Sequence, residues 1–498
     1  MDRRPVFIGA GQLVQHDVDL AIAPTPLDFL EQVARRAAED AGIGAAALAG
    51  LDTIGIVDVL NWRPANGPRL LAERIGAHPQ REWVSGIGGD IPLVLANRAA
   101  RDIAAGKLSF VLLAGSNNFR TARRARDARH KLEWPQGGRG EPQQIGKNRM
   151  GNSLAESEYG IGQPTDVYPL FENALRAHRG RGLEEHRLAL GRLMSRFTSV
   201  AEANPYAWFP VERSAEEIST ITPENRMISY PYTKYMNAVM ETDQAAAVLL
   251  CSAATARELG VPEERWVYWS GGGAAAESAW YPSERKSFSR CEAMGVTVRG
   301  ALAEAGVMLD EVGFFDFYSC FPAAVEMACE MLGLDHDDPR GFTVTGGLPY
   351  AGGPGNNYTL HSLAAMFERV RANSGALGLV TGNGWYLTKH SATLLASAPR
   401  ESTPDAAAAP ATPLEVADDT RSTQSVEGRG EIETYTVVYE RDAGPVRGVV
   451  VGRTDGGRRF VANTPADRQF LEDFVSVENV GRSGTLRHDA GANVFEPA

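Results

Sequence analysis

The sequence predicts an α/β chain made of two similar βαβαβ-type halves, followed by a small all-β domain. Three observations carry this: a repeated helix–strand unit, a Pro/Ala-rich break near residue 400, and a strand-rich tail. The first copy of the repeat opens with VARRAAEDAGI and LDTIGIVDV, and the second with VRGALAEAGVML and DEVGFFDFY. Each is an amphipathic helix closing at Ala-Gly and then a strand reaching an aspartate, Asp58 or Asp316. The next units echo as well: ANRAARDIAAGKLSFVLLAG at 96–115 corresponds to LHSLAAMFERVRANSGALGLVTG at 360–382. One unit used twice predicts two sheets related by a pseudo-two-fold, with helices between and around them. Thr25 as N-cap and Pro26 at the first helical position fix the start of the first helix.

The chain divides by texture. Residues 1–230 form the first half, with a long irregular excursion at 116–230, and 231–398 form the second half. Residues 399–416, PRESTPDAAAAPATPLEV, lack apolar periodicity and predict a linker. Beyond it, IETYTVVYE, VRGVVVGR and RFVAN around a DGG turn predict a β barrel over 417–498.

Composition narrows the function. The net charge of −12 argues against nucleic acid or an anionic membrane as partner. The N-terminal MDRRPVFIGAGQL has no apolar h-region, and no run approaches the length of a membrane span. Four cysteines (Cys251, Cys291, Cys320, Cys329) without metal-type spacing predict neither a disulfide framework nor a zinc site, so a cytoplasmic protein is expected. Gly9 and Gly11 hint at a dinucleotide loop, but Val14 stands where a third glycine is needed and no helix start follows. Nine Lys/Arg lie between Arg120 and Arg149, among them Arg123, Arg124 and Lys131. They predict either a solvated basic face or a lid that neutralises ligand phosphates.

Several ordered motifs together resemble the thiolase superfamily over about residues 1–398. NPYAWF at 204–209 and TDQAAAVLL at 242–250 are similar to segments of the sterol-carrier-type thiolases. FYSCFPAAVEMACEMLGL at 317–334 resembles that group's HDCF segment, and GGLPYAGGPGNNYTLHSL at 346–363 its histidine loop. Within the group, the likeness is nearest to the mycobacterial thiolase-like proteins of type 1. The C-terminal stretch GRGEIETYTVVYERDAGPVRGVVVGRTDGGRRFVA resembles OB-like domains associated with acyl-CoA and thiolase-like lyases.

The resemblance implies a thiolase fold and CoA or acyl-CoA as ligand, with no covalently bound cofactor. It implies pairing of subunits, if any, through the edge strand in REWVSGIGGD at 81–90. That segment holds Arg81, Glu82 and three glycines, so monomer and homodimer both stay open. The departures remove the family's nucleophilic machinery. The nucleophilic cysteine corresponds to Gly89, the activating histidine to Gly353, the second cysteine to Thr381, and the water-holding Asn/His to Tyr318. Glycine has no side chain to acylate, so no acyl-enzyme is expected at residue 89.

By the family fold, Gly88, Gly89 and Asp90 begin a helix whose N–H groups face the pocket and could hold an oxyanion. Around it, Tyr318 is a candidate proton donor. Cys320 is either a buried thiol or a catalytic group. His390 is either a base or a core histidine. Tyr350, Asn357 and Tyr358 lie on the loop that normally carries the histidine.

Three functions remain. One is an acyltransferase-superfamily enzyme that works on the C–C bond next to a thioester without a cysteine, for example a retro-aldol lyase of lipid or sterol side chains. The others are an acyltransferase of the usual type with another nucleophile, and a catalytically silent acyl-CoA-binding protein.

Overall fold

The computed structural model describes residues 2–400, 425–489 and 491–498, so most of the predicted linker at 399–416 lies outside the described residues. The first half runs β1 (Pro5–Val14), α1 (Pro26–Asp40), β2 (Thr53–Ile56), α2 (Gly67–Ile75), β3 (Arg81–Ser85), α3 (Ile91–Ala104) and β4 (Phe110–Asn118). The excursion adds α4 (Phe119–Asp127), β5 (Gln143–Ile145), α5 (Leu154–Glu158), α6 (Pro164–His178), α7 (Leu183–Ala203), α8 (Ala215–Ser219) and the hairpin β6 (Met227–Ser229)–β7 (Tyr232–Thr233). After β8 (Asp243–Ser252) and α9 (Ala253–Glu258) come β9 (Val267–Ala276), α10 (Glu292–Ala305), β10 (Phe314–Asp316) and α11 (Pro322–Leu332). The second half closes with α12 (Tyr358–Arg371), β11 (Leu377–Gly384) and β12 (Lys389–Ala396).

The first helix starts where its cap predicts. Thr25 Oγ1 accepts the Asp28 N–H, and Asp28 returns a bond to the Thr25 N–H, closing a capping box. Gly9 and Gly11 of β1 need no nucleotide to explain them. A Cβ on either would run into the backbone of α1, at Ala37 O and Val33 O, so glycine lets helix and strand pack closely.

The two expected sheets are joined. The order β10-β11-β12-β9-β1-β8-β4-β2-β3-β5 is one ten-stranded sheet, in which the halves meet through two residue pairs between β1 and β9. α3 and α12 lie in a shared central layer between the half-sheets, while α1 packs on β1 outside the first and α10 on β9 outside the second. The first half also extends past residue 230, because β8 pairs with both β1 and β4. The excursion, expected to be irregular, is largely helical: buried residues of α6 and α7 build the core around Phe171, Leu175, Leu193 and Phe197.

One of its strands closes an edge. β5 adds to β3 in parallel register, pairing Trp83 with Gln143 and Ser85 with Ile145, so the strand expected to face a partner subunit is covered by the same chain. Among the described residues, no helix is long and apolar enough to cross a membrane.

The C-terminal domain is a closed barrel of β13 (Gly428–Glu440), β14 (Gly444–Thr454), β15 (Arg459–Asn463), β16 (Ser483–Asp489) and β17 (Ala492–Pro497), with α13 (Arg468–Val475) between β15 and β16. The strands close in the order β13-β14-β15-β17-β16 and back to β13, and only β15–β17 is parallel. The β6–β7 hairpin of the excursion extends this sheet, and Asn173 of α6 donates to Tyr435 O at 2.9 Å.

A buried guanidinium fastens the barrel to the second half. Arg459 pairs with Glu433 at 2.7 Å and donates to the carbonyl oxygens of Ser283 and Arg285. Arg459→Met strips those carbonyls of their donor and is expected to lower stability by about 3 kcal/mol. Urea unfolding of the whole chain measures it, and an unchanged midpoint would place the docking energy elsewhere.

Candidate functional site

A cavity of about 260 Å³ opens where four segments converge. The β3–α3 turn brings Gly88 and Gly89, the strand end after β10 brings Tyr318 and Cys320, and the loop before α12 brings Gly353 and Asn356. The excursion helix α6 supplies Tyr168 as the facing wall.

Tyr318 dominates this space. A Cβ on Gly89 would overlap the Tyr318 hydroxyl and ring edge, so the phenol occupies the volume a side chain at 89 would need. The Tyr318 N–H donates to Thr381 Oγ1 at 3.0 Å, and its ring meets Tyr358 edge-on at 5.6 Å and 88°. Thr381 thus serves as a positioning group under the phenol. Burial pushes the Tyr318 pKa well above that of an ordinary phenol, with Cys320, Tyr358 and Asp90 adding to the effect. At neutral pH the group is a proton donor, and its hydroxyl has no hydrogen-bond partner among the described residues.

The three expected oxyanion donors are not equivalent. Gly88 N–H is taken by Asn356 Oδ1 at 2.9 Å, and the Asn356 amide in turn donates to Asp58 O at 2.9 Å. Asp90 is buried below the turn, with burial raising its carboxyl pKa and Lys389 Nζ, 3.4 Å away, opposing the rise. Lys389 also donates to Ile87 O and holds the turn in place. Of the three, Gly88 and Gly89 border the cavity; the Gly88 N–H is engaged, the Gly89 N–H has no acceptor among the described residues, and α3 begins two residues on.

The remaining expected residues divide. Cys320 lines the cavity, but burial pushes its thiol up to about 12, so it stays protonated. Its neighbour Tyr168 donates to Trp385 O at 2.8 Å and accepts from Asn383 Nδ2 at 2.7 Å, leaving that phenol fully engaged. Gly353 borders the cavity, with its N–H on Val239 O at 2.8 Å. His390 does not reach the cavity: its Nε2 lies 3.2 Å from Cys291 Sγ and 3.1 Å from Leu387 O, and burial lowers its pKa to about 3. Asn357 is also turned away, donating to Gly115 O at 2.9 Å, and its neighbour Asn356 takes the cavity position. Tyr358 binds Thr345 Oγ1 at 2.7 Å, and the Tyr350 hydroxyl is buried without a partner among the described residues.

The basic excursion is rearranged in the same way. Arg123 is paired with Asp127 at 2.9 Å and Glu241 at 3.2 Å, Arg124 bonds Val18 O at 2.6 Å, and Lys131 pairs with Glu133 at 2.7 Å. None of the three borders the cavity. Two other cations of the run lie on a segment against the cavity's turn. Asn148 Oδ1 accepts the Ile87 N–H at 3.0 Å, which sets Lys147 and Arg149 on either side of that contact. The Arg149 guanidinium rests on the Trp280 and Tyr281 rings at 4.7 and 4.9 Å. Neither Lys147 nor Arg149 has a carboxylate partner among the described residues, whereas the acids at 127 and 133 lie within reach of the cations named in the sequence. Local acid spacing was the signal that could have separated the two groups.

Comparison with known proteins shows what the chain as a whole is similar to. The family model for the thiolase-like protein type 1 additional C-terminal domain matches residues 414–491. The crystal structure of a monomeric SCP2-thiolase like protein type 1 from Mycobacterium smegmatis is 33% identical, with a TM-score of 0.83 and 100% of both chains covered. The Ltp2-ChsH2(DUF35) aldolase shares the fold at 15% identity and TM-score 0.59, over 79% of this chain and 98% of its own. The dimeric peroxisomal thiolase of Saccharomyces cerevisiae does so at 13% identity and TM-score 0.56, over 79% and 97%. A comparison with curated proteins returns no match.

Because Gly89 and Tyr318 compete for one volume, their substitutions should couple. Gly89→Cys alone is expected to destabilise by about 1–3 kcal/mol through overpacking. Combining it with Tyr318→Ala should recover part of that loss. Denaturant unfolding of the four chains of the cycle reads the coupling, and strictly additive effects would contradict the overlap.

Proposed function

The chain belongs to the SCP2-thiolase-like protein type 1 family, and from that premise we propose that its cavity binds an acyl-CoA thioester and supports C–C bond chemistry without an acyl-enzyme. The carrying observation is that the Tyr318 hydroxyl fills the place where a side chain at Gly89 would extend. A nucleophile is thereby replaced by an acid. In the cleavage direction, a β-hydroxyacyl thioester loses its Cα–Cβ bond, and the electron pair enters the carbonyl as an enolate. The enolate oxygen rests on the Gly89 N–H in front of α3. Tyr318 gives its proton to the α carbon, and the β-hydroxyl proton returns to the phenolate through water as the carbonyl product forms. The apolar walls around Tyr168 and Phe321, stacked at 4.4 Å, suit a hydrocarbon acyl group.

Lys147 and Arg149 are the cations we assign to the phosphates of CoA, in place of Arg123, Arg124 and Lys131. No covalently bound cofactor enters this reading. The barrel's strand order and the helix between its third and fourth strands fit an OB-type fold, which supports a docking or ligand-associated role for the C-terminal domain. The β5 strand over β3 favours a monomer, as does the description of the M. smegmatis relative as monomeric.

Three measurements test this. Tyr318→Phe should leave acyl-CoA affinity nearly intact while lowering cleavage of β-hydroxyacyl-CoA by roughly 10²–10⁴-fold. Binding without turnover of any such substrate by the unaltered protein would leave a silent acyl-CoA-binding protein as the better reading. Reversing charge at Lys147 and Arg149 together should weaken acyl-CoA binding in calorimetry by about 1–3 kcal/mol, while reversal at Arg123 and Lys131 should not. Light scattering at several concentrations should report a monomer, and a dimer would show that β5 does not close the edge.

A further inference from the structure

Away from the cavity, three titratable side chains from separate elements meet in the core: Glu172 of α6, His186 of α7 and Glu326 of α11, with their polar atoms within 4.8 Å of one another. All three are buried. Glu172 accepts the Tyr232 hydroxyl of β7 at 2.6 Å and lies 2.9 Å from His186 Nε2. Glu326 Oε1 takes Arg179 at 2.9 Å, Arg181 at 3.1 Å and His336 Nδ1 at 3.1 Å. Glu326 Oε2, by contrast, has no donor among the described residues, while a carboxyl oxygen of Glu172 and one of Glu326 lie within 4.8 Å of each other.

Such a cluster has the donor set of a metal site, yet its charges argue against one. Two guanidinium groups already hold one oxygen of Glu326, and Arg176 on the same helix as Glu172 is paired outward with Glu478. A dication would be added beside these two half-buried cations. A single proton fills the same gap without that repulsion.

We infer that Glu172 and Glu326 share one proton, with Glu172 as the donor and Glu326 Oε2 as the acceptor, and that this proton makes the α6–α11 seam sensitive to pH. Burial and the facing Glu326 raise the Glu172 pKa far above an ordinary carboxyl's, and the Tyr232 bond only partly offsets them. For Glu326 burial acts upward too, but the bonds from His336 and Glu172 hold it well below the usual range. Burial lowers the His186 pKa to about 4, so that imidazole is neutral near pH 7. Glu330, which pairs with Arg179 at 3.2 Å and faces His178 at 3.9 Å, completes the charged groups on this seam.

The seam touches the cavity wall. The Tyr232 hydroxyl that serves Glu172 also accepts the Ala323 N–H in the first turn of α11, and Phe321 just before that turn stacks on Tyr168 of α6. Losing the proton sets two carboxylates against each other across the contact that holds this stack.

The sign follows from the two carboxyls. The raised Glu172 contributes stability that is complete below the ordinary carboxyl pKa and is lost as pH rises toward its folded value. The lowered Glu326 contributes stability that is lost as pH falls below the ordinary value. The test is the melting temperature of the full chain against pH, for the unaltered protein and for Glu172→Gln, whose amide keeps a donor for Glu326 but cannot titrate. The unaltered protein should lose melting temperature relative to Glu172→Gln as pH rises from about 5 to about 8. Parallel curves would overturn the inference.

If Glu172→Gln does not fold, infrared spectroscopy of the unaltered protein labelled with ¹³C-glutamate gives the second reading. A protonated glutamate band should persist at neutral pH, and Tyr232→Phe should move its loss to higher pH, because the phenol's bond favours the ionised carboxyl. A band that Tyr232→Phe leaves unmoved would also overturn it, as would one equivalent of tightly held divalent metal whose chelation lowers the melting temperature.

Discussion

The exclusion between Gly89 and Tyr318 organises the rest of the site. Two groups cannot fill one volume in a close-packed interior, so the phenol can stand over the β3–α3 turn only while residue 89 has no side chain. Everything near the turn is arranged to keep the phenol there. Thr381 takes the Tyr318 N–H, Tyr358 supports the ring edge-on, and the Asn356 amide ties the turn to Asp58. Thr381, at one of the positions where the resemblance implied a cysteine, thus has a supporting task of its own.

The electrostatics run the same way. Every titratable group lining the cavity is pushed toward its neutral form, the Tyr318, Tyr168 and Tyr386 phenols and the Cys320 thiol all up, chiefly by burial, and burial does the same to the Asp90 carboxyl below the turn. A thiolase site depends on a stabilised thiolate, whereas this one is set to donate a proton. His390, the remaining candidate base, is neutral and spends its Nε2 on Cys291 and Leu387 O, behind the wall.

Much of this was legible in the sequence where the signal was local or repeated. The helix start at Thr25–Pro26, the doubled unit and the strands of the tail all rest on neighbouring residues or on self-similarity. What the sequence hid depends on distant partners. Asn356 and Asn357 are adjacent and identical in type, and only the approach of Gly88 to one and Gly115 to the other separates them. Arg123 and Arg124 looked like ligand cations until the distant Glu241 and Val18 O were seen against them. The helices of the excursion were missed because α6 and α7 bury faces against α11 and the barrel, a pairing that no stretch between 116 and 230 displays alone. The joined sheet rests on two residue pairs, fewer than any periodicity can announce.

The strand β5 has a further meaning for how such a molecule behaves at low abundance. In a subunit completed by a neighbour, the geometry of the turn after β3 depends on assembly, and dilution dismantles it. Here the hydrogen bonds that would come from the neighbour are supplied from residues 143–145 of the same chain, and Gly86 N–H continues the ladder onto Ile145 O at 2.7 Å. The turn bearing Gly88 and Gly89 is thus buttressed by an intramolecular contact, whose effective concentration does not change with the number of copies present.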